Sequence, residues 1–221
     1  MDKFLDRLFS NPDMLRMGHG QRGEDRNLGL GWIYYALGRL LRPSHAVCIG
    51  SWRGFAPAVM GRALLDNLVP GKLWFIDPSM VDDFWKDPET TQKHFSELGA
   101  ENVEHFCQTT QSFVQTDAFR KLGRVGLLMI DGWHTAEQAR FDYVSFLDKL
   151  DERSVVLFHD SVRPRLTTIY GDARHYEHTV YKLITRLKQL PELEVFSFPE
   201  AAGLTMVRGI PNNLALINEP F

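Results

Sequence analysis

Short apolar runs alternate along the chain with segments of helical spacing. The runs are HAVCIG (45–50), KLWFID (72–77), VEHFC (103–107), VGLLMID (125–131) and SVVLFHD (154–160). Each has the length and unbroken apolar character of a strand buried on both faces of a parallel sheet. Between them, FAPAVMGRALLDNL, TTQKHFSELG, SFVQTDAFRKLG and AEQARFDYVSFLDKL carry helical spacing, and several end in a glycine suited to a C-cap. In the last of these, Thr135 and Gln138 have the spacing of a capping box, and Ala136, Ala139, Tyr143, Leu147 and Leu150 make one apolar face. Upstream, WIYYALGRLLR reads as a helix stopped by Pro43. Downstream the pattern predicts a long helix over 175–190, then strands at LEVFSFP (193–199) and GLTMVRG (203–209). The turn between those two strands is too short for anything but an antiparallel pair. Strand alternating with helix implies right-handed crossovers, so the expected fold is α/β: a doubly wound sheet of seven strands, the last antiparallel, with helices on both faces.

Composition narrows the partners. The 221 residues are 44% hydrophobic, enough to bury one sizeable core as a single domain. A lead or lid over 1–31, a core over 32–209 and a tail over 210–221 are the expected parts. A net charge of -3 shows no basic excess for a phosphate backbone, so nucleic acid is not an expected partner. Cys48 and Cys107 lie in apolar, strand-like stretches. That suits a reducing compartment, with the cytoplasm as the default, and speaks against a disulfide framework or a cysteine metal site. The opening MDKFLDRLFS spaces Phe4, Leu5, Leu8 and Phe9 for an amphipathic turn or two, but charges interrupt it, and no run is long enough to span a bilayer. No membrane association is expected. The apolar tail LALINEPF is a candidate contact for a homo-oligomer.

In open parallel sheets, ligands bind beyond the carboxyl ends of the strands, so the residues that close each run matter most. The first run ends IGSWRG, with Gly50 and Gly54 flanking Ser51, Trp52 and Arg53. A dinucleotide site would want a further glycine between them, to admit a pyrophosphate. Bulky Trp52 and Arg53 fit instead a nucleoside without phosphates, such as adenosine with a carboxylate or sulfonium tail. The second run ends on Asp77, which also reads as an Asp-Pro turn. Placed one βαβ unit after the glycine loop, its carboxylate can accept hydrogen bonds from both ribose hydroxyls.

Together VCIGSWRG, the acid ending the next strand, IDGWHTAEQARFDYVSFLDKL and VVLFHDS resemble the class I S-adenosylmethionine-dependent methyltransferases. The group concerned carries D-G-x-H-T and a later strand ending in H-D or E-D, and the likeness covers roughly residues 30–208. It implies a Rossmann-like seven-stranded sheet, with residues 1–221 as a single methyltransferase domain. It implies S-adenosylmethionine as cofactor, with Gly50, Ser51, Trp52 and Gly54 bordering it, Asp131 adjacent, and Asp77 holding the ribose. CQTTQSF sits where that family contacts adenine, which makes Thr109, Thr110 and Gln111 candidates.

Asp131 closes the fourth run and Asp160 the fifth, so in this topology the two acids are expected side by side, with His134 and His159 next to them. Two carboxylates that close would repel unless a cation compensates them. Oxygen donors favour Mg²⁺, Ca²⁺ or Mn²⁺, whereas a coordinating His159 shifts preference toward Mn²⁺, Fe²⁺ or Zn²⁺. In the metal-dependent O-methyltransferases that the chain resembles, including the macrolide-sugar enzymes and more distantly catechol O-methyltransferase, the matching residues ligate Mg²⁺. By resemblance Asp131, His159 and Asp160 are therefore candidate ligands for Mg²⁺ or Mn²⁺, and His134 is the candidate general base, with Asp131 and His134 as the catalytic pair. His159 stands where those enzymes carry an acid. A plain Asp-Gly turn into a capped helix would also account for Asp131, Gly132 and Thr135, but it leaves His134 idle.

The stretch SVRPRLTTIYGDARHYEHTV is too polar and too long for a simple connection. Its Arg163, Arg165, Tyr170, Arg174, His175, Tyr176 and His178 are expected to overhang a pocket for a small-molecule acceptor, or else to form a solvated loop or a dimer contact; GHGQRGEDR near the N-terminus is a second candidate lid. The expected activity is methyl transfer to a hydroxyl of a small molecule. Competing readings are a hydroxylase-like member of the same group, since one branch is labelled cephalosporin hydroxylase, and a non-catalytic protein that binds the cofactor without turning it over. An NAD-dependent oxidoreductase ranks last because the phosphate loop is wrong.

Overall fold

The computed structural model describes residues 1–16, 18–168 and 175–221. Strands β1 (His45–Ile49), β2 (Lys72–Ile76), β3 (Val103–Phe106), β4 (Leu127–Ile130) and β5 (Val155–His159) follow the five apolar runs. Next come two short strands, β6 (Arg165–Leu166) and β7 (Glu177–His178), then β8 (Glu194–Phe198) and β9 (Leu204–Arg208). The main sheet has the order β3-β2-β1-β4-β5-β9-β8. Its first five strands are parallel, and β9 runs antiparallel to both β5 and β8. This is the expected doubly wound, seven-stranded sheet with an antiparallel last strand.

Period-two alternation sorts the strand residues into two apolar layers. Ala46, Cys48, Leu127, Met129, Val155 and Leu157 pack with the helices Gly31–Leu41, Phe55–Leu65 and Pro88–Leu98. Val47, Ile49, Leu128, Ile130, Val156 and Phe158 pack with the helices Ala136–Phe146 and Val180–Leu187. The parity continues past the strand ends, so the side chains of Asp131 and His159 leave the sheet on the layer of the first group. The N-terminal residues cover that layer: Phe4, Leu5 and Leu8 of the helix Asp2–Ser10 are buried there, as are Leu28 and Leu30.

Three local expectations are corrected. SFVQTDAFRKLG is not one helix but two short ones, Thr110–Phe113 and Asp117–Lys121. Thr116 makes the break, because its hydroxyl accepts the Phe119 amide and starts the second helix afresh. The long helix over 175–190 shrinks to Val180–Leu187, where Val180, Leu183, Ile184 and Leu187 supply the apolar stripe. Residues 175–179, HYEHT, have no such stripe, and Glu177–His178 pairs with Arg165–Leu166 instead. The capping box is half formed. Thr135 Oγ1 accepts the Gln138 amide at 3.2 Å, but the Gln138 side chain turns toward Asp142.

The apolar tail folds back on its own chain. Ile217 is buried, and the Phe221 ring lies under the guanidinium groups of Arg140 and Arg186. Among the described residues no helix is long and apolar enough to cross a membrane.

Candidate functional site

A cavity of about 670 Å³ opens at the carboxyl ends of β1, β2, β4 and β5. It is lined by Gly50, Ser51, Trp52, Asp77, Thr109, Thr110, Gln111, Asp131, His134, His159 and Asp160, which brings nearly all of the sequence candidates together. The exception is Gly54. It caps the helix Phe55–Leu65 and lies beneath Trp85 and Phe95, away from the cavity.

At one end, the loop after β1 is drawn against the loop after β4. Gly50 has φ +72°, and a Cβ there would run into the backbone of Gly132. Ser51 sits behind this turn, its hydroxyl accepting the Ala56 amide at 3.3 Å. Asp77 Oδ2 accepts the Ser51 amide at 3.3 Å and Oδ1 the Ser79 amide at 2.8 Å, fixing the carboxylate at the cavity edge. Burial pushes its pKa up to about 6, against the pull of those two amides. Arg53, which lines the cavity, is paired with Asp82 and Asp13, so its charge is already matched.

Below this end runs a chain of side-chain hydrogen bonds. Gln111 donates to Gln138 and Gln138 donates to Asp142, each at 2.8 Å. Asp142, also bonded by Thr110, is buried, and its pKa is pushed up to about 7 by that burial. Thr109 has a local task too, since its hydroxyl accepts the Ser112 amide and caps the helix Thr110–Phe113.

At the other end, two acids and four histidines converge. The register between β4 and β5 pairs Ile130 with Phe158, so the strand-end neighbour of Asp131 is His159, not Asp160 as the sequence suggests. His159 Nδ1 lies 2.8 Å from Asp131 Oδ1 and 3.5 Å from Asp160 Oδ1, so both acids reach one ring nitrogen. Asp160, at φ +51°, turns its carboxylate to His178 Nδ1 at 2.8 Å, Arg165 at 3.3 Å and His134 Nε2 at 3.8 Å. From the other side His19 Nε2 comes within 3.7 Å of Asp131 Oδ2. Both nitrogens of His159 and of His178 are buried, yet none meets hydrogen-bond geometry. Imidazole nitrogens this close to carboxylate oxygens make buried ion pairs when the rings are protonated, and the same atoms are of the type that coordinates a cation. Among the described residues, two sets have donor atoms within 4.8 Å of one another: His19, Asp131 and His159, and His134, His159 and Asp160.

The electrostatics divide the two acids. Burial raises the pKa of Asp131, with His159 opposing. Around Asp160, burial is outweighed by His178, His159, His134 and Arg165, which hold that carboxyl well below the usual range. His134 is pushed down to about 3, chiefly by burial, so its ring is neutral near pH 7. The backbone around His134 is fixed by the strap after β7: Thr179 donates its amide to the His134 carbonyl, and its hydroxyl accepts the Ala136 amide, both at 2.9 Å. Trp133 and Tyr176 stack at 4.2 Å and 8°, forming an aromatic wall beside this end.

The insertion after β5 contributes unevenly. Arg165, Tyr176 and His178 line the cavity, whereas Arg163 turns to the Ala201 carbonyl and His175 is exposed. Tyr170 and Arg174 lie outside the described residues. His19 and His178 were not singled out as ligands by the sequence pattern. His19 belongs to the glycine-rich lead, and the one available signal was a histidine flanked by glycines, GHG, in a polar stretch.

The comparisons fit this fold. Among curated proteins, none matches the sequence. Among solved structures, the O-methyltransferase from Bacillus cereus in complex with S-adenosylhomocysteine is similar at TM-score 0.64 and 13% identity, over 95% of this chain and 91% of that one. The S-adenosylhomocysteine-bound methyltransferase PaMTH1 from Podospora anserina is similar at TM-score 0.61 and 15% identity, over 95% and 88%. The O-methyltransferase TomG from Streptomyces achromogenes, involved in tomaymycin synthesis and solved with S-adenosylmethionine, is similar at TM-score 0.60 and 16% identity, over 81% and 79%. At these identities the likeness is one of fold. The family described as "Methyltransferase domain" matches residues 47–161, more than half of the chain, and the chain belongs to that family.

Proposed function

We propose that the protein is an S-adenosylmethionine-dependent methyltransferase acting on a hydroxyl of a small molecule, with residues 1–221 as one catalytic domain and a divalent cation at the acceptor end. The observation that carries this reading is the single cavity with two chemically different ends. Its volume of about 670 Å³ is within the range of small-molecule pockets. The end near Asp77 has a carboxylate suited to ribose hydroxyls and a tight glycine turn, and its Arg53 is already paired with acids, which fits a nucleoside sulfonium. The end near Asp131 offers carboxylate and imidazole donors of the type that coordinates a cation. The O-methyltransferases of similar fold that carry the cofactor or its product support the same cofactor here.

S-adenosylmethionine supplies an electrophilic methyl group, and a divalent cation supplies a Lewis acid that lowers the pKa of a hydroxyl. The chain does the rest. Asp77 orients the ribose, and the Gly50–Ser51 turn lets backbone approach the methionine end. His159 would hold the cation, with Asp131 on one side or Asp160 on the other. Neutral His134 takes the hydroxyl proton at its Nε2, and Asp160, 3.8 Å away, stabilises the imidazolium that results. Trp133 and Tyr176 limit water at the acceptor end. Alignment of the acceptor with the methyl group supplies much of the rate.

Calorimetric titration with S-adenosylhomocysteine tests the cofactor assignment. Micromolar binding by the wild type, weakened at least tenfold in Asp77→Ala, is expected. No binding by the folded wild type would overturn it.

A further inference from the structure

We propose that His19, carried by the N-terminal segment, is itself a ligand, completing with Asp131 and His159 a face of two imidazoles and one carboxylate that selects a first-row transition ion over magnesium. The inference rests on the cation site of the proposed function and adds to it a residue from outside the sheet.

His19 is only 1% exposed, and its position is built by several independent contacts. Its ring stacks on Phe55 at 4.8 Å and 17°. Its Nδ1 pairs at 3.0 Å with the hydroxyl of Tyr34, a fully buried residue of the helix Gly31–Leu41. The backbone is held as firmly. The His19 amide donates to Gln21 Oε1 at 3.1 Å, Gln21 donates back to the Met14 carbonyl at 2.7 Å, and the Leu30 amide donates to the His19 carbonyl at 2.8 Å. Gly29, at φ +57°, lies so close to the His19 carbonyl that a Cβ there would collide with it.

All of this aims one atom. With Nδ1 engaged by Tyr34, Nε2 is left facing Asp131, which is how an outer-shell partner orients a ligating histidine. The separation of 3.7 Å from Asp131 Oδ2 is too long for a hydrogen bond. It suits two ligand atoms on one ion, because donors about 2.0–2.1 Å from a first-row metal stand roughly 3 to 4 Å apart. The His19 and His159 rings are 4.4 Å apart between centroids, and the three donors lie within 4.8 Å of one another. Magnesium takes oxygen donors in strict octahedra, whereas imidazole with carboxylate suits Mn²⁺, Fe²⁺, Co²⁺ and Zn²⁺. A ligand from residue 19 also ties the glycine-rich lead down over the cavity when the ion is bound.

The test uses the full-length, metal-free protein and Co²⁺ as the probe, followed by calorimetry and by the visible absorption of bound cobalt. The wild type is expected to bind Co²⁺ at least tenfold more tightly than Mg²⁺. His19→Ala should lose Co²⁺ affinity by about tenfold to 100-fold or more, with a changed cobalt spectrum, and Tyr34→Phe should fall between the two. S-adenosylhomocysteine binding by metal-free His19→Ala should stay within about twofold of wild type. Equal Co²⁺ affinity and spectra in His19→Ala and wild type would overturn the inference while leaving the cation site standing. Failure of the wild type to bind Co²⁺, Mn²⁺ or Mg²⁺ would remove the cation from the proposed function and the inference with it. A measurement on the wild type alone guards against a variant that does not fold: Co²⁺, but not Mg²⁺, should slow tryptic cleavage after Arg22 and Arg26 at least tenfold. Cleavage indifferent to Co²⁺ counts against the latch.

Discussion

His159 Nδ1 lies 2.8 Å from Asp131 Oδ1. The two residues end neighbouring parallel strands and leave the sheet on the same face, so the contact follows from register and parity. A buried carboxylate and imidazole held this close share one proton or one cation. Since Asp160 approaches the same nitrogen from the other side, the three form the hub of the site.

Asp160 faces His178, His134 and Arg165 and is buried among them. Asp160→Asn keeps its shape and removes the countercharge. The variant is expected to lose more than 99% of methyl transfer and to be less stable, because Asp160 no longer pairs with the groups gathered around it. Turnover assays and denaturant titration check both, and affinity for S-adenosylhomocysteine should change only a few-fold.

The pH dependence of cofactor binding should come from Asp77. Its pKa near 6 means the ionised form, which can accept from both ribose hydroxyls, dominates above that pH. Below pH 6 the protonated acid dominates, so affinity for S-adenosylhomocysteine should weaken by up to about tenfold per pH unit. Calorimetry at pH 5, 6 and 7.5 measures the slope, and Asp77→Asn should flatten it.

Asp142 makes a prediction about stability. Burial raises its folded pKa to about 7, so the folded state prefers the protonated acid. Its contribution is favourable below the unfolded value of about 4 and is lost as pH rises through 7. Asp142→Asn imitates the protonated form and keeps an acceptor for Gln138. Thermal melts should therefore show the variant gaining stability over wild type as pH rises from about 4 to 7, with the full advantage reached by pH 8.

The architecture was legible because continuous apolar runs of five to seven residues and period-3.6 stripes occur in strict alternation, and packing on both faces of the sheet enforces them. Candidate ligands at strand ends were legible for the same reason. Their pairing was not: a shift of one residue at a strand end exchanges neighbours, and here it sets His159, not Asp160, beside Asp131. His178 was hidden in HYEHT, which precedes a genuine helical stripe and reads as its first turn. His19 was hidden because the glycine-rich lead has no periodicity. Its placement depends on Tyr34, Phe55 and Gly29, contacts that span up to 36 residues of sequence and leave no local pattern.

His134 is the proposed base, its Nε2 facing the Asp160 carboxylate at 3.8 Å within the cavity. His134→Gln should reduce kcat by about 100-fold to 10,000-fold, the usual weight of a general base, with the KM for S-adenosylmethionine little changed. Steady-state kinetics at saturating acceptor separate the two.

In the proposed enzyme, one cavity joins a nucleoside end at Asp77 to a cation end at Asp131, His159 and Asp160. The most direct measurement is methyl transfer from S-adenosylmethionine to a panel of phenols, sugars and hydroxy acids, run with added Mn²⁺ or Mg²⁺ and again in excess chelator. Transfer to an oxygen of at least one acceptor is expected, abolished by the chelator and restored by the metal, while affinity for S-adenosylhomocysteine stays within a few-fold. Transfer that proceeds undiminished in excess chelator would contradict this proposal.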